Sequence, residues 1–142
     1  MEKIPSFQKD HDKLEVGLHE CGVTNGIVTW DLRMKKPNAG DYLTPKAMHS
    51  VEHMLATVLR NSPQKDRIVY FGPMGCRTGF YLLTEGLDRT QVVELLKYAF
   101  SAAAELTEIP GSGKAECGNY LEHDLPSAIE ECKKYCEILS EL

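Results

Sequence analysis

The chain has 142 residues, of which 42% are hydrophobic, and this is enough to bury the core of one globular domain spanning residues 1–142. A formal net charge of -5 argues against nucleic acid or an anionic membrane surface as the main partner. No apolar run approaches bilayer length, and the first residues show no signal-peptide core. The five cysteines show no spacing typical of a disulfide framework. For these reasons we expect a reduced, cytoplasmic protein.

The predicted elements follow one another without a linker or an internal repeat. Alternating hydrophobicity and helical periodicity predict strands over 13–20 and 26–34 joined by a turn region at 22–26, a helix over 44–60, strands over 67–71 and 79–84, and helices over 90–107 and 126–140. Short antiparallel strands with separated helices predict an α+β fold, in which helices pack on one face of an antiparallel sheet.

The second predicted strand carries two opposite charges on one face. Asp31 and Arg33 fall on the side opposite Trp30 and Leu32, because side chains alternate along a strand. From the alternation alone, the simplest interpretation of this pair is a solvated outer face of the sheet.

The helix predicted over 44–60 contains the pattern His49-Ser50-Val51-Glu52-His53. At 3.6 residues per turn, His49 and His53 lie about 40° apart, so both imidazoles can reach one metal ion. Glu52 lies about 60° from His49 on the other side, close enough to act on a molecule bound to the metal without being a ligand. The H-x-x-E-H pattern therefore predicts a metal site on this central helix.

A catalytic metal usually takes three protein ligands and keeps one open position. Cys117 is the strongest candidate for the third ligand, because it lies in a Gly-rich stretch between two predicted helices where a side chain can be aimed freely. Cys132 and Cys136 have helical spacing, but they are in register with apolar positions and are interpreted as core.

Cys76 lies in a glycine-flanked turn, Gly72-Pro73-Met74-Gly75-Cys76-Arg77-Thr78-Gly79. A thiolate near a cation is a capable base or nucleophile, and Arg77 or a bound metal is a candidate for that cation. Spacing alone does not separate a functional role for Cys76 from a buried one.

The segments that carry these residues, taken together, resemble the S-ribosylhomocysteine lyase (LuxS) family. The resemblance includes His49–His53, the turn Gly72–Gly79, Glu116-Cys117-Gly118-Asn119-Tyr120-Leu121-Glu122-His123-Asp124-Leu125, Ser6-Phe7-Gln8-Lys9-Asp10-His11 and Trp30-Asp31-Leu32-Arg33. It spans essentially the whole chain in the family's order. It implies a carbon–sulfur lyase of the activated methyl cycle that cleaves S-ribosyl-L-homocysteine to L-homocysteine and 4,5-dihydroxy-2,3-pentanedione, the precursor of the quorum-sensing signal autoinducer-2.

The resemblance also implies the roles of individual residues. His49, His53 and Cys117 would hold one divalent metal per chain, Fe(II) in the native enzyme and Zn(II) or Co(II) in some preparations. Glu52 and Cys76 would form the general acid/base pair.

Substrate binding and assembly are implied in the same way. Ser6, His11 and Arg33 would bind or orient the substrate, with Asp31 as a partner for Arg33. The resemblance further implies a homodimer with shared active sites, in which these substrate-binding residues come from one chain and the metal helix and the Cys76 turn come from the other.

Two other functions are compatible with parts of the pattern. H-x-x-E-H also marks metallopeptidases, in which Glu52 would activate a water molecule, but peptide hydrolysis has no need of Cys76. A non-catalytic thiol–metal sensor would use His49, His53 and Cys117 in a closed site, without any role for Glu52.

Overall fold

The computed structural model describes all of residues 1–142 and shows a four-stranded antiparallel sheet with three α-helices, which confirms the α+β class. The elements are β1 (Gly17–Thr24), β2 (Ile27–Arg33), α1 (Pro45–Arg60), β3 (Ile68–Pro73), β4 (Gly79–Glu85), α2 (Arg89–Ala104) and α3 (Leu125–Ser140). Short 3-10 turns lie at Pro5–Phe7 and Lys65–Arg67. None of the helices has the length and the apolar character that a membrane crossing requires.

The sheet has the strand order β1-β2-β4-β3, and every neighbouring pair is antiparallel. The hairpin between β1 and β2 turns at Asn25 and Gly26, which have φ angles of 53° and 79°. Left-handed backbone at both positions is what a two-residue hairpin turn requires, and Asn-Gly adopts it readily. This turn pairs Thr24 with Ile27, so β1 occupies Gly17–Thr24 and the predicted span 13–20 is wrong.

The other predicted elements are confirmed, with small differences at their ends. The largest difference is at α2, which ends at Ala104 and not at residue 107. Thr44 caps α1 by accepting a hydrogen bond from the Ala47 N–H at 3.2 Å, and Pro45 occupies the first helical turn.

One core joins the sheet to the helices. The inner face of the sheet contributes Leu18, Trp30, Leu32, Phe80 and Leu82, and these side chains share a buried cluster with residues of all three helices. In α1 the buried residues include Val51, Met54, Leu55 and Leu59. Because these side chains occupy one side of α1, the half-buried His49, Glu52 and His53 remain accessible beside the core.

The segment between α2 and α3 brings further polar side chains towards α1. It carries Cys117 and His123 and ends at Asp124, which caps α3 by accepting a hydrogen bond from the Ser127 N–H at 3.1 Å. Tyr135 of α3 donates a buried hydrogen bond to the carbonyl of Gly17 at 2.9 Å. These contacts hold α3, and with it the end of the preceding segment, against the rest of the fold.

Candidate metal centre

Four potential metal ligands meet beside α1, namely His49, His53, Cys117 and His123, and their donor atoms all lie within 4.8 Å of one another. Cys117 Sγ lies 3.5 Å from His49 Nε2, 3.9 Å from His53 Nε2 and 3.5 Å from His123 Nε2. Cys117 is buried and the three histidines are half-buried. The cluster therefore could hold a metal ion.

The two histidines of α1 are oriented by backbone carbonyls. His49 Nδ1 donates to the carbonyl of Glu122 at 2.8 Å, and His53 Nδ1 donates to the carbonyl of Pro110 at 3.0 Å. A carbonyl oxygen accepts only, so each ring carries its proton on Nδ1 and leaves the Nε2 lone pair free. Metal-binding histidines in proteins are held by an outer hydrogen bond of this kind.

His123 joins the cluster with a similar arrangement, and the sequence analysis quoted it only within the segment 116–125, without assigning it a role. Its Nδ1 lies 3.0 Å from Oγ of the buried Ser50, and its ring stacks on His49 with centroids 4.0 Å apart. Burial, and then the neighbouring His49 and His53, hold the pKa of His123 below its usual 6.5, which favours the neutral ring that binds metals. His123 has no helical spacing to the other ligands, and its only signal in the sequence is its position six residues after Cys117.

The donor set and its spacing fit a transition metal. In a tetrahedral site with a metal–sulfur bond of 2.3 Å and metal–nitrogen bonds of 2.0–2.1 Å, sulfur and nitrogen stand about 3.6 Å apart. The distances of 3.5–3.9 Å from Cys117 Sγ to the three Nε2 atoms match this value. Thiolate and imidazole donors suit zinc, iron and cobalt better than calcium or magnesium.

Glu52 lies next to the cluster without belonging to it. It is half-buried and lines a surface cavity of about 300 Å³ together with His53, Pro110 and Glu116. This cavity places Glu52 beside His53, one of the four clustered side chains.

Asp31 and Arg33 are fully buried, so the interpretation of this pair as a solvated face is wrong. Arg33 donates from Nε to Asp31 Oδ1 at 3.0 Å and from Nη2 to Oδ2 at 2.6 Å, and Lys9 Nζ donates to the same Oδ2 at 2.6 Å. The N-terminal segment supplies Lys9 from outside the sheet and thereby helps to cover the pair. Burial lowers the pKa of Lys9, but hydrogen bonds to Asp31 and Cys21 outweigh this effect and hold it above 10.5, so Lys9 is charged.

Cys76 is exposed in the turn between β3 and β4, and the guanidinium of Arg33 lies beside it. Its Sγ lies 3.0 Å from Thr78 Oγ1 and 4.0 Å from Arg33 Nη1, which also donates to Thr78 Oγ1 at 2.8 Å. The other candidate cation, Arg77, has a left-handed backbone (φ 62°), and its Nη1 donates to the carbonyl of Leu43 at 3.4 Å. The sequence analysis placed Arg33 and Cys76 in different chains of a shared site, whereas the structure places them side by side in one chain.

Ser6 and His11 lie in the N-terminal segment, before β1. Ser6 belongs to the turn Pro5–Phe7 and lines a cavity of about 490 Å³ that also contacts Lys9 and Tyr81. His11 Nδ1 lies 3.0 Å from the carbonyl of Lys9. Neither residue makes a hydrogen bond to the histidine–cysteine cluster.

The two cysteines of α3 are core residues, as predicted for this helix. Cys132 is fully buried, and Cys136 is half-buried and packs against the core. Burial raises the pKa of the Cys132 thiol to about 12. Neither of these cysteines belongs to the candidate metal centre.

Comparison with known proteins supports the same family as the residue patterns. The family model for S-ribosylhomocysteinase (LuxS) matches residues 4–141. S-ribosylhomocysteine lyase of Phocaeicola vulgatus is 46% identical over 143 residues, covering 95% of this chain and 88% of that protein. The enzymes of the same name from Borreliella burgdorferi (strain ZS7) and Desulfotalea psychrophila are 44% and 45% identical, covering 100% and 95% of this chain and 95% and 89% of their own lengths.

With a family model that covers nearly all of the chain and relatives that align over almost their full length, this chain belongs to the LuxS family of S-ribosylhomocysteinases.

Proposed function

We propose that the protein is an S-ribosylhomocysteine lyase, a carbon–sulfur lyase that converts S-ribosyl-L-homocysteine to L-homocysteine and 4,5-dihydroxy-2,3-pentanedione. The observation that carries the proposal is the cluster of His49, His53 and Cys117 beside Glu52, in a chain that matches the LuxS family over residues 4–141. The protein would act in the cytoplasm, in the activated methyl cycle, and its pentanedione product would supply the autoinducer-2 signal.

The metal centre would use His49 and His53 of α1 together with Cys117. One divalent ion per chain fits this set, and we propose Fe(II) as the native ion, with Zn(II) and Co(II) as substitutes. When bound, the ion supplies a Lewis acid that polarises sugar oxygens and favours loss of a proton next to a carbonyl. The protein's share of the chemistry lies in binding the sugar, excluding water and moving protons.

Homocysteine thiolate is a poor leaving group from C5 of the sugar until a carbonyl stands at C3. Moving the carbonyl to C3 takes several proton transfers. Two aldose–ketose shifts move the carbonyl from C1 to C2 and then to C3, and each shift takes a proton from one carbon and returns one to its neighbour. Loss of the C4 proton then expels homocysteine thiolate from C5. No electrons are gained or lost overall.

Glu52 and Cys76 are suited to these proton transfers. Glu52 faces the cavity beside the histidines, where its carboxylate can accept and return a proton of a bound sugar. Cys76 is exposed, so its thiol can reach a substrate, and its Sγ lies 4.0 Å from Arg33 Nη1. We propose that the two groups act at different carbons of the sugar.

Arg33 would orient the substrate and Asp31 would orient Arg33. Asp31 binds the guanidinium through two atoms, while Nη1 bonds Thr78 and points towards Cys76. A guanidinium held in this way has one fixed direction, which suits recognition of a polar group on the substrate.

Ser6 and His11 would complete the site from a second copy of the chain. Neither residue is hydrogen-bonded to the metal centre within one chain, and exposed apolar side chains, among them Ile4, Val23 and Tyr70, line the same cavity as Ser6. A two-fold dimer through this outer face would cover these side chains and form two equivalent, enclosed sites.

The decisive experiment incubates the purified protein with S-ribosyl-L-homocysteine and titrates the thiol released after the protein is removed. We expect stoichiometric homocysteine from the metal-loaded protein and none after chelation. Peptide hydrolysis without thiol release would indicate a metallopeptidase instead, and metal binding without either activity would indicate a thiol–metal sensor.

A further inference from the structure

The N-terminal segment 1–11 carries Ser6 and His11, two of the residues proposed to bind substrate, but little of it is packed against the fold. None of its residues is buried, so it adds no side chain to the core. Hydrogen bonds such as the one from the Gln8 side chain to the Lys3 carbonyl, at 2.8 Å, stay within the segment. Burial and local hydrogen bonds therefore do not fix its position on the sheet.

Lys9 is the one residue of segment 1–11 whose hydrogen bonds reach the sheet. Its ammonium donates to Asp31 Oδ2 of β2 and to Cys21 Sγ of β1, both at 2.6 Å. Asp31 is fully buried, and the Lys9 side chain keeps only 21% of its exposure. A hydrogen bond between two ionised groups is stronger than one between neutral groups. The ammonium of Lys9 is therefore the polar anchor of the whole segment.

The backbone of the same residue orients His11. Its Nδ1 lies 3.0 Å from the carbonyl oxygen of Lys9. Because a carbonyl oxygen only accepts, Nδ1 carries a proton and the neutral ring keeps a free lone pair on Nε2. That nitrogen can accept a hydrogen bond from a sugar hydroxyl. Lys9 thus holds the segment through its side chain and the imidazole of His11 through its carbonyl.

We propose that Lys9 is a positioning residue of the lyase, whose ammonium anchors the N-terminal segment on Asp31 and Cys21 and thereby places His11 for substrate binding. This inference rests on the proposed function and deepens it. Lys9 itself acts through His11 and needs no contact with the reacting atoms. The alternative route runs through Arg33, which shares Asp31 Oδ2 with Lys9, and the experiments below separate the two routes.

The first experiment measures substrate binding by titration calorimetry with the zinc form of Cys76→Ala, which we expect to bind S-ribosyl-L-homocysteine without turning it over. Lys9→Met, added to this background, keeps the length of the side chain and removes its charge. We expect it to raise the dissociation constant at least about 10-fold, as when the binding-competent position of the segment is populated a tenth of the time.

Lys13→Met is the matched control, since Lys13 lies just beyond the segment and only forms an exposed ion pair with Asp10. It should leave the dissociation constant within about twofold of the background, because exposed pairs contribute little. Equal dissociation constants for Lys9→Met and Lys13→Met would overturn the proposal.

A double-mutant cycle tests the route through His11. When His11→Ala is already present, Lys9→Met should change the dissociation constant by no more than about twofold, because the side chain that Lys9 places is gone. The same loss of affinity with and without His11 would overturn this route and would point to Arg33 instead.

The tautomer of His11 gives a second measurement, which needs no substrate. Nitrogen NMR of the zinc form above pH 8, where an ordinary histidine is neutral, should show the His11 proton on Nδ1 in the wild type and in Lys13→Met. The signal is assigned by its loss in His11→Ala. In Lys9→Met the proton should move towards Nε2, the form that prevails in water.

A proton on Nε2 in the wild type, or a proton that stays on Nδ1 in Lys9→Met, would overturn the placement of His11 by Lys9. Because Asp31 keeps Arg33 as its partner, Lys9→Met should fold, and circular dichroism checks this. Lys9→Gln, which removes the charge but keeps a donor, serves for the same measurements if Lys9→Met does not fold. The NMR result is independent of lyase activity, so a failure of the placement and a failure of the proposed function are distinguishable.

Discussion

Arg33 and Asp31 lie two residues apart on β2 and form a two-pronged ion pair that is completely buried, with Nε–Oδ1 and Nη2–Oδ2 distances of 3.0 and 2.6 Å. The carboxylate also binds Lys9, so one anion balances two cations. This arrangement joins the N-terminal segment to the sheet and directs the remaining guanidinium nitrogen towards Thr78 and Cys76.

The first prediction concerns this anion. Asp31→Asn should lower the free energy of unfolding by about 3–5 kcal/mol, because it leaves the buried Arg33 without its counter-ion. The measurement is urea denaturation at neutral pH. Asp10→Asn, which removes the partner of an exposed pair with Lys13, serves as the control and should change stability much less. A loss for Asp31→Asn no greater than that of the control would contradict the buried-pair interpretation.

A second prediction concerns the identity of the metal. Fe(II) can lose an electron to oxygen and Zn(II) cannot, so we expect the iron form to lose activity in air while the zinc and cobalt forms keep most of theirs. Metal content is followed by elemental analysis and turnover by thiol release. One ion per chain is expected, and Cys117→Ala should lose metal. Full activity in a metal-free preparation would rule out the metal centre as the site of chemistry.

The acid/base pair gives a third prediction. Glu52→Gln and Cys76→Ala should each keep the metal and lose most turnover, because neither side chain belongs to the ligand cluster. Since the two groups are proposed to act at different carbons, one variant should accumulate a ketone intermediate that carbon NMR detects with labelled substrate. Turnover at the wild-type rate in Cys76→Ala would remove this residue from the mechanism.

A fourth prediction addresses the shared site. Mixing His11→Ala with Cys76→Ala under conditions of subunit exchange should restore about a quarter of wild-type activity, because half the dimers are mixed and each has one intact site. Mixing Arg33→Ala with Cys76→Ala is the matched control. These two residues are neighbours in one chain, so every site should keep a defect. Persistent inactivity of the first mixture after proven exchange would refute a site shared through His11.

The buried thiol of α3 yields a prediction about pH. Burial raises the pKa of Cys132 from 9.0 to about 12, whereas the unfolded chain keeps the ordinary value. Below pH 9 the thiol is protonated in both states and has no effect on the pH dependence. Between pH 9 and 12 only the unfolded state loses its proton, so stability falls as pH rises, by about 1.4 kcal/mol per pH unit from this group. In Cys132→Ala, the free energy of unfolding should fall less steeply between pH 9 and 12, as measured by urea denaturation at several pH values. Equal slopes of the free energy of unfolding against pH in wild type and variant would contradict the prediction.

The sequence by itself determined the helix α1 and the grouping of its two candidate metal ligands on one face. Thr44 and Pro45 start α1, and helical spacing places His49 and His53 on one face with Glu52 beside them. These features are local, since each depends on residues within one or two turns of the helix. The α+β class followed in the same way, from the order of alternating and periodic segments, and the whole-chain motifs identified the family.

Only the tertiary structure decided which distant residues meet. His123 joins the cluster because the segment before α3 returns to Ser50, a contact between residues 73 apart that no short-range pattern encodes. The burial of Asp31 and Arg33 likewise depends on Lys9 and the N-terminal segment, which lie outside the strand. Strand alternation gives the face on which a side chain lies, but the residues that cover that face are remote in sequence. Burial, ion pairing and the place of His123 in the cluster therefore had to be read from the fold.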